Sequence, residues 1–76
     1  MSYAKAIKAA RVKSGLSQGK LAELAGCDAT TISHIEHGSR NPSLDMVESL
    51  AWACGVTAAS IHVAAEETDK RKGQMK

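Results

Sequence analysis

Residues 18–36 read QGKLAELAGCDATTISHIE. Two helix-period runs of about eight residues are joined by only Gly26, Cys27 and Asp28. Gly26 supplies the positive φ that stops the first run, and the Asp28 carboxylate is placed to cap the second. So short a connection forces the helices to cross steeply, at about 90–120°. A steep crossing needs a small residue where the helices touch, and Ala22 stands there. Leu21, Ala25, Ile32 and Ile35 are apolar at the offsets that face inward and lock the pair.

Outward from this pair the chain stays helical. Tyr3 to Lys13 is Ala-rich, with Ile7 and Ala10 on one face, and stops at Ser14-Gly15. Ser17 is an N-cap for Gln18 to Ala25, and Asp28 one for Ala29 to His37, which ends at Gly38. After Pro42-Ser43, the residues Leu44, Val47, Leu50 and Ala51 repeat at helical spacing up to Cys54, where Gly55 ends the run. Thr57 caps a last helix from Ala58 to about Thr68. Sustained alternation of apolar and polar residues, the mark of strands, is missing. The reading is all-α: a compact bundle of five short helices over residues 1–68, with a basic flexible tail at 69–76 carrying Lys70, Arg71, Lys72 and Lys76.

Composition narrows the function classes. At 76 residues and 8.0 kDa there is room for one small core. No apolar run approaches the ~20 residues of a membrane span, and the Met1–Ile7 segment lacks the apolar core of a signal peptide. Cys27 and Cys54 are too few for a disulfide framework, so a reduced, cytoplasmic chain is expected. The net charge of +2 hides an uneven layout. Lys5, Lys8, Arg11, Lys13 and Lys20 precede the first acid, whereas residues 21–68 hold only Arg40 against seven carboxylates: Glu23, Asp28, Glu36, Asp45, Glu48, Glu66 and Glu67. A polyanion would meet a molecule with a basic end. Cys27, His34 and His37 match no common zinc spacing, and no nucleophile–base pair or phosphate loop is present. No enzyme activity, metal, cofactor or small-molecule ligand is expected.

Through Arg11, Gly15-Leu16-Ser17-Gln18, Leu21-Ala22, Ala25-Gly26, Thr31-Ile32-Ser33, Ile35-Glu36, Gly38, Asn41-Pro42-Ser43-Leu44, Leu50-Ala51 and Gly55-Val56, residues 7–61 resemble the phage repressor and Cro-like helix-turn-helix proteins, the XRE group. The resemblance implies a lambda-repressor-like fold with the motif at the second and third helices. It also implies that the third helix, about 29–36, lies in the DNA major groove while the second crosses the backbone. Ala29, Thr30, Ser33 and His34 would then face base edges. Gln18, His37, Ser39, Arg40 and Asn41 would touch phosphates. Many relatives carry Gln, Arg or Asn where this chain has Ala29 and Thr30, which implies modest base discrimination or heavier reliance on DNA shape. Arg11 and Glu36 would form a structural salt bridge.

A single recognition helix reads too few bases to find one site in a genome, so a homodimer on a palindromic double-stranded operator is expected. Its interface is assigned to Ile61 and Val63 with Trp52, which lies near the surface, at a partner or partly covered by the last helix. The leading expectation is a bacterial or phage transcriptional regulator, a Cro-like repressor or restriction–modification controller. The alternative is a protein-interaction module of the same fold, antitoxin-like or a co-activator domain.

Overall fold

Helix starts in this chain are set by side-chain oxygens. The side chains of Ser17, Asp28, Ser43 and Thr57 accept hydrogen bonds from the backbone N–H groups of Lys20, Thr31, Met46 and Ser60, at 3.0, 2.8, 3.1 and 3.1 Å. Each bond satisfies one of the N–H groups that a first helical turn leaves without a partner. The computed structural model describes the backbone of residues 3–74 and the side chains of residues 3–67. It places α1 at Tyr3–Lys13, α2 at Gln18–Ala25, α3 at Ala29–Glu36, α4 at Leu44–Cys54 and α5 at Ala58–Gln74.

Two boundaries differ from the sequence reading. Helix α3 ends at Glu36, and His37 is its C-cap rather than its last residue. Helix α5 runs to Gln74 instead of stopping near Thr68. No Gly or Pro interrupts the chain between Thr57 and Gly73, and Glu66/Lys70 and Glu67/Arg71 fall at the i,i+4 spacing that supports a helix. Of the basic segment at 69–76, the backbone is helical as far as Gln74, and the side chains lie outside the described residues.

Every helix contributes to one core. Ala6 and Ile7 of α1, Leu21 and Ala22 of α2, Ile32 and Ile35 of α3, Val47, Leu50, Ala51 and Cys54 of α4, and Ile61 and Ala65 of α5 are buried together. The buried set is aliphatic and small, so the helices approach closely, and Ala22 is buried at the crossing the turn imposes. Helix α2 packs on α3 and α4, α1 on α3, α4 and α5, and α5 on α4. Helices α4 and α5 bend 106° apart at their connection. The ring of Tyr3 meets His62 edge-on at a centroid distance of 5.5 Å, and the Tyr3 hydroxyl is hydrogen-bonded to His62 Nδ1, pinning the start of α1 to α5. No single described helix is long and apolar enough to cross a membrane.

The turn between α2 and α3 rests on Gly26. Its φ of +79° lies in the left-handed region, and both its own N–H and that of Cys27 bond to the Ala22 carbonyl. A Cβ at Gly26 would meet nothing within 4 Å, so a side chain there is opposed by backbone conformation alone. Gly26→Ala is therefore expected to destabilise by about 1–2 kcal/mol and to lower Tm by roughly 5–10 °C in thermal denaturation followed by circular dichroism. Gly26→Asn is expected to lose less, because Asn tolerates this region. Equal Tm values for wild type and Gly26→Ala would contradict the assignment.

Candidate nucleic-acid interface

Eight residues make barely two turns, too little for an isolated helix to persist in water, so α3 is held by its neighbours. Ile32 and Ile35, at 0% and 1% exposure, anchor its inner face. The outer face carries Ala29, Thr30 and His34, all exposed, and half-buried Ser33. These positions, i, i+1, i+4 and i+5, form one stripe along the helix. The four residues expected to face base edges are thus brought together on the side turned away from the core.

Behind α3 stands a charged clamp. Arg11 Nε donates to Glu36 Oε2 at 2.6 Å and Arg11 Nη2 to Glu36 Oε1 at 3.1 Å, the fork geometry that favours arginine over lysine. Arg11 Nη1 donates to the Leu16 carbonyl at 2.9 Å, while the Leu16 N–H returns a bond to the Arg11 carbonyl. The side chains are 13% and 3% exposed, which confirms the expected structural bridge and makes it a buried one. Burial by itself pushes the Glu36 pKa up. The hydrogen bonds from Arg11 and Gln18, with the positive charges of Arg11 and Lys8, outweigh that and hold it below its ordinary value. The Arg11 pKa is raised, chiefly by its hydrogen bond to Glu36.

Sequence reasoning missed a second duty of Gln18. Its Nε2 donates to Glu36 Oε1 at 3.2 Å, so the residue expected at a phosphate also completes the clamp. An amide nitrogen carries two hydrogens, and one remains for another acceptor. No spacing rule links residues 18 and 36; only the packed pair of helices does.

The far end of α3 is tied down by a polar network. The N–H groups of His37, Gly38 and Ser39 bond to the carbonyls of Ser33, Ile35 and His34 at 2.9, 3.1 and 3.0 Å. The Ser39 hydroxyl donates to the His34 carbonyl at 3.1 Å, and its oxygen lies 3.3 Å from His34 Nδ1. His37 Nδ1 donates to the Ser33 carbonyl at 2.7 Å, with Ser33 Oγ 3.4 Å away. Ser39, Arg40 and Asn41 are exposed in the loop that follows. At the near end, the Asp28 carboxyl is held below its usual pKa, first by the Thr31 N–H, then by the Thr31 hydroxyl, with Arg40 and His34 acting in the same direction. Arg40 also acts on the Cys27 thiol, whose pKa is raised by burial and by Asp28. The loop after α3 therefore brings the Arg40 charge back within electrostatic reach of the α2–α3 turn.

The residues assigned to a dimer contact are split by the fold. Trp52 is 72% exposed and Val63 51% exposed, whereas Ile61, at 2%, is a correction: its side chain is spent in the core of its own protomer. Residues 58–65 turn Ile61 and Ala65 inward at i,i+4 and leave Val63 outward. Leu44, one turn either side of Glu48 from Trp52, is also 71% exposed. Among the described residues no three His, Cys, Asp or Glu side chains gather in a way that would hold a metal ion.

A two-turn helix with a small polar outer stripe, crossed by a second helix across a three-residue turn, defines the helix-turn-helix class of DNA-binding regulators. The helix-turn-helix family matches residues 7–61, and the chain belongs to it, on its phage repressor and Cro-like branch. Over 44 residues the chain is 50% identical to the control protein C.BamHI of Bacillus amyloliquefaciens, a match covering 58% of this chain and 54% of that protein. The chain thus spans about half the length of that curated relative. The crystal structure of the restriction-modification controller protein C.AhdI from Aeromonas hydrophila superposes with a TM-score of 0.75 at 32% identity, covering 79% of this chain and 91% of that one. A point mutant of the restriction-modification controller protein C.Esp1396I superposes with a TM-score of 0.83 at 26% identity, covering 92% and 91%.

The clamp makes stability depend on pH with a definite sign. A carboxyl whose folded pKa lies below its unfolded value contributes fully above about pH 4.3 and loses that contribution as pH falls through the folded pKa. Urea unfolding between neutral pH and about pH 3 is expected to show wild type losing stability on acidification, and Glu36→Gln losing less over that window. At neutral pH, Arg11→Ala is expected to cost about 3–5 kcal/mol, and the double change Arg11→Met with Glu36→Leu to recover a large part. Equal acid sensitivity of wild type and Glu36→Gln would show that Glu36 is not the titrating group.

Proposed function

We propose that this protein is a sequence-specific transcriptional regulator that binds double-stranded DNA, of the Cro-like repressor or restriction–modification controller type, and that it grips a palindromic operator as a homodimer. The observation that carries the proposal is the outer stripe of α3, with Ala29, Thr30, Ser33 and His34 on one face and Arg11–Glu36 fixing the helix from behind. In this reading α3 enters the major groove. Thr30, Ser33 and His34 offer hydrogen bonds to base edges, and the Ala29 methyl packs on thymine. Gln18, at the N-terminus of α2, meets a phosphate with its remaining amide hydrogen, and Arg40 and Asn41 hold the backbone beyond the groove. His37, the C-cap of α3, and Ser39 stand at the same end of the helix. Likeness to two controller proteins and one control protein supports the controller reading over a generic repressor. The regulator acts on the nucleoid, and its level sets promoter occupancy.

Dimerisation is supported by surface and size. Trp52, Val63 and Leu44 are large apolar side chains left in water, the kind of surface that partners cover. With a radius of gyration of 11.8 Å, two protomers side by side span about one DNA turn, roughly 34 Å.

The deciding experiment is selection of bound duplexes from a randomised pool. Wild type is expected to enrich a palindrome with half-sites about 10 base pairs apart, and His34→Ala to lose preference at one position of each half-site. Arg40→Ala is expected to weaken binding alike on all sequences and to reduce the slope of log K against log salt by about 1. Trp52→Glu is expected to weaken the palindrome far more than a half-site. Enrichment of nothing by wild type would transfer the surface at Trp52 to a protein partner and favour an interaction module.

A further inference from the structure

The network at the end of α3 determines what His34 offers to DNA. A carbonyl oxygen only accepts, so the 3.1 Å contact between Ser39 Oγ and the His34 carbonyl uses the single hydroxyl hydrogen of Ser39. That leaves Ser39 Oγ with lone pairs alone to present to His34 Nδ1, 3.3 Å away. The imidazole nitrogen must then be the donor. In a neutral ring only one nitrogen carries hydrogen, so Nε2, at the outer end of an exposed side chain, is left as a bare acceptor. The same logic applies to His37, whose Nδ1 lies 2.7 Å from the Ser33 carbonyl and must also donate.

From this we propose, building on the DNA-binding reading above, that Ser39 is a positioning residue that locks His34 in its Nδ1–H form. His34 thereby selects an exocyclic amine, adenine N6 or cytosine N4, on the strand it faces in the major groove. Guanine presents N7 and O6 there, and thymine presents O4, all acceptors that an Nε2 lone pair opposes. Every base pair holds one such amine, so the selection is for which strand carries it. The locked His37 ring, when neutral, has the corresponding consequence: its Nε2 has no hydrogen for a phosphate oxygen. Ser39, whose N–H and hydroxyl both go to the His34 carbonyl, has none either, which places Arg40 and Asn41 ahead of both as backbone contacts.

Two measurements test this independently. Nitrogen-15 ring correlations on the free protein in alkaline buffer are expected to place the His34 proton on Nδ1 in wild type and Ser39→Thr, and to move toward Nε2–H in Ser39→Ala. A wild-type ring protonated on Nε2 overturns the proposal whatever the DNA result. In duplex selection, the position whose preference vanishes in His34→Ala is expected to favour A or C on the contacted strand by about fivefold, the worth of one hydrogen bond. Ser39→Ala is expected to bring that preference to about twofold or less while leaving other positions unchanged, and Ser39→Thr to restore it. Guanine or thymine at that position, or a Ser39→Ala profile equal to wild type, overturns the proposal. If no variant, wild type included, enriches any duplex, the DNA-binding reading fails and the base selection with it, even where Nδ1 holds the proton.

Discussion

Three hydrogen bonds converge on one carboxylate that is almost wholly removed from water. Glu36 accepts twice from Arg11 and once from Gln18, and so joins the last residue of α3 to the last turn of α1 and the first turn of α2. A third Arg11 nitrogen holds the carbonyl of Leu16 in the loop between those two helices. The arrangement matters because α3 has little of its own to rely on. It is two turns long, packs on α1 and α2 through Ile32 and Ile35, and must leave its outer stripe bare. Apolar contact holds α3 against the core, and a directional, forked ion pair sets its rotation and its axial position, which non-directional burial does poorly.

The proposed role of the outer stripe needs that rigidity. Hydrogen bonds to base edges discriminate only where donors and acceptors arrive at fixed places, since a loose side chain finds a partner on any base. The C-terminal end of α3 continues the principle. The backbone bonds of His37, Gly38 and Ser39 close the helix, and the two serine–histidine contacts orient rings that would otherwise rotate freely. With Ala29 and Thr30 at the start of the helix, few long side chains are available for bidentate pairing. In the proposed complex much of the reading would fall to short, well-placed groups, with the positive charge of Arg40 acting on Asp28 at the same end.

A regular alternation of stop and start signals made most of the fold legible. Ser17, Asp28 and Thr57 cap where their positions before apolar-periodic runs predicted, Ser43 does the same before α4, and Gly26 and Gly55 adopt the positive φ that ends their helices. Capping is local chemistry within four residues, so a sequence carries it openly. The end of α5 and the duty of Ile61 were less legible. A helix end lacking Gly or Pro has no strong local signal. Which apolar residue of a short amphipathic run faces inward depends on how the helix is rotated against its neighbours, and both Ile61 and Val63 satisfy the composition.

The sequence by itself determined that the chain is helical, where its helices begin, that α2 and α3 are joined by a three-residue turn, and which family it resembles, because propensity, capping and turn chemistry act over short separations. Tertiary structure alone decided that Gln18 serves the buried clamp, that Tyr3 meets His62, and that Ile61 is core while Val63 is not. Each of those placements depends on residues that are distant along the chain or on different helices. Their proximity is a product of how the helices pack, and no window of neighbouring residues contains it.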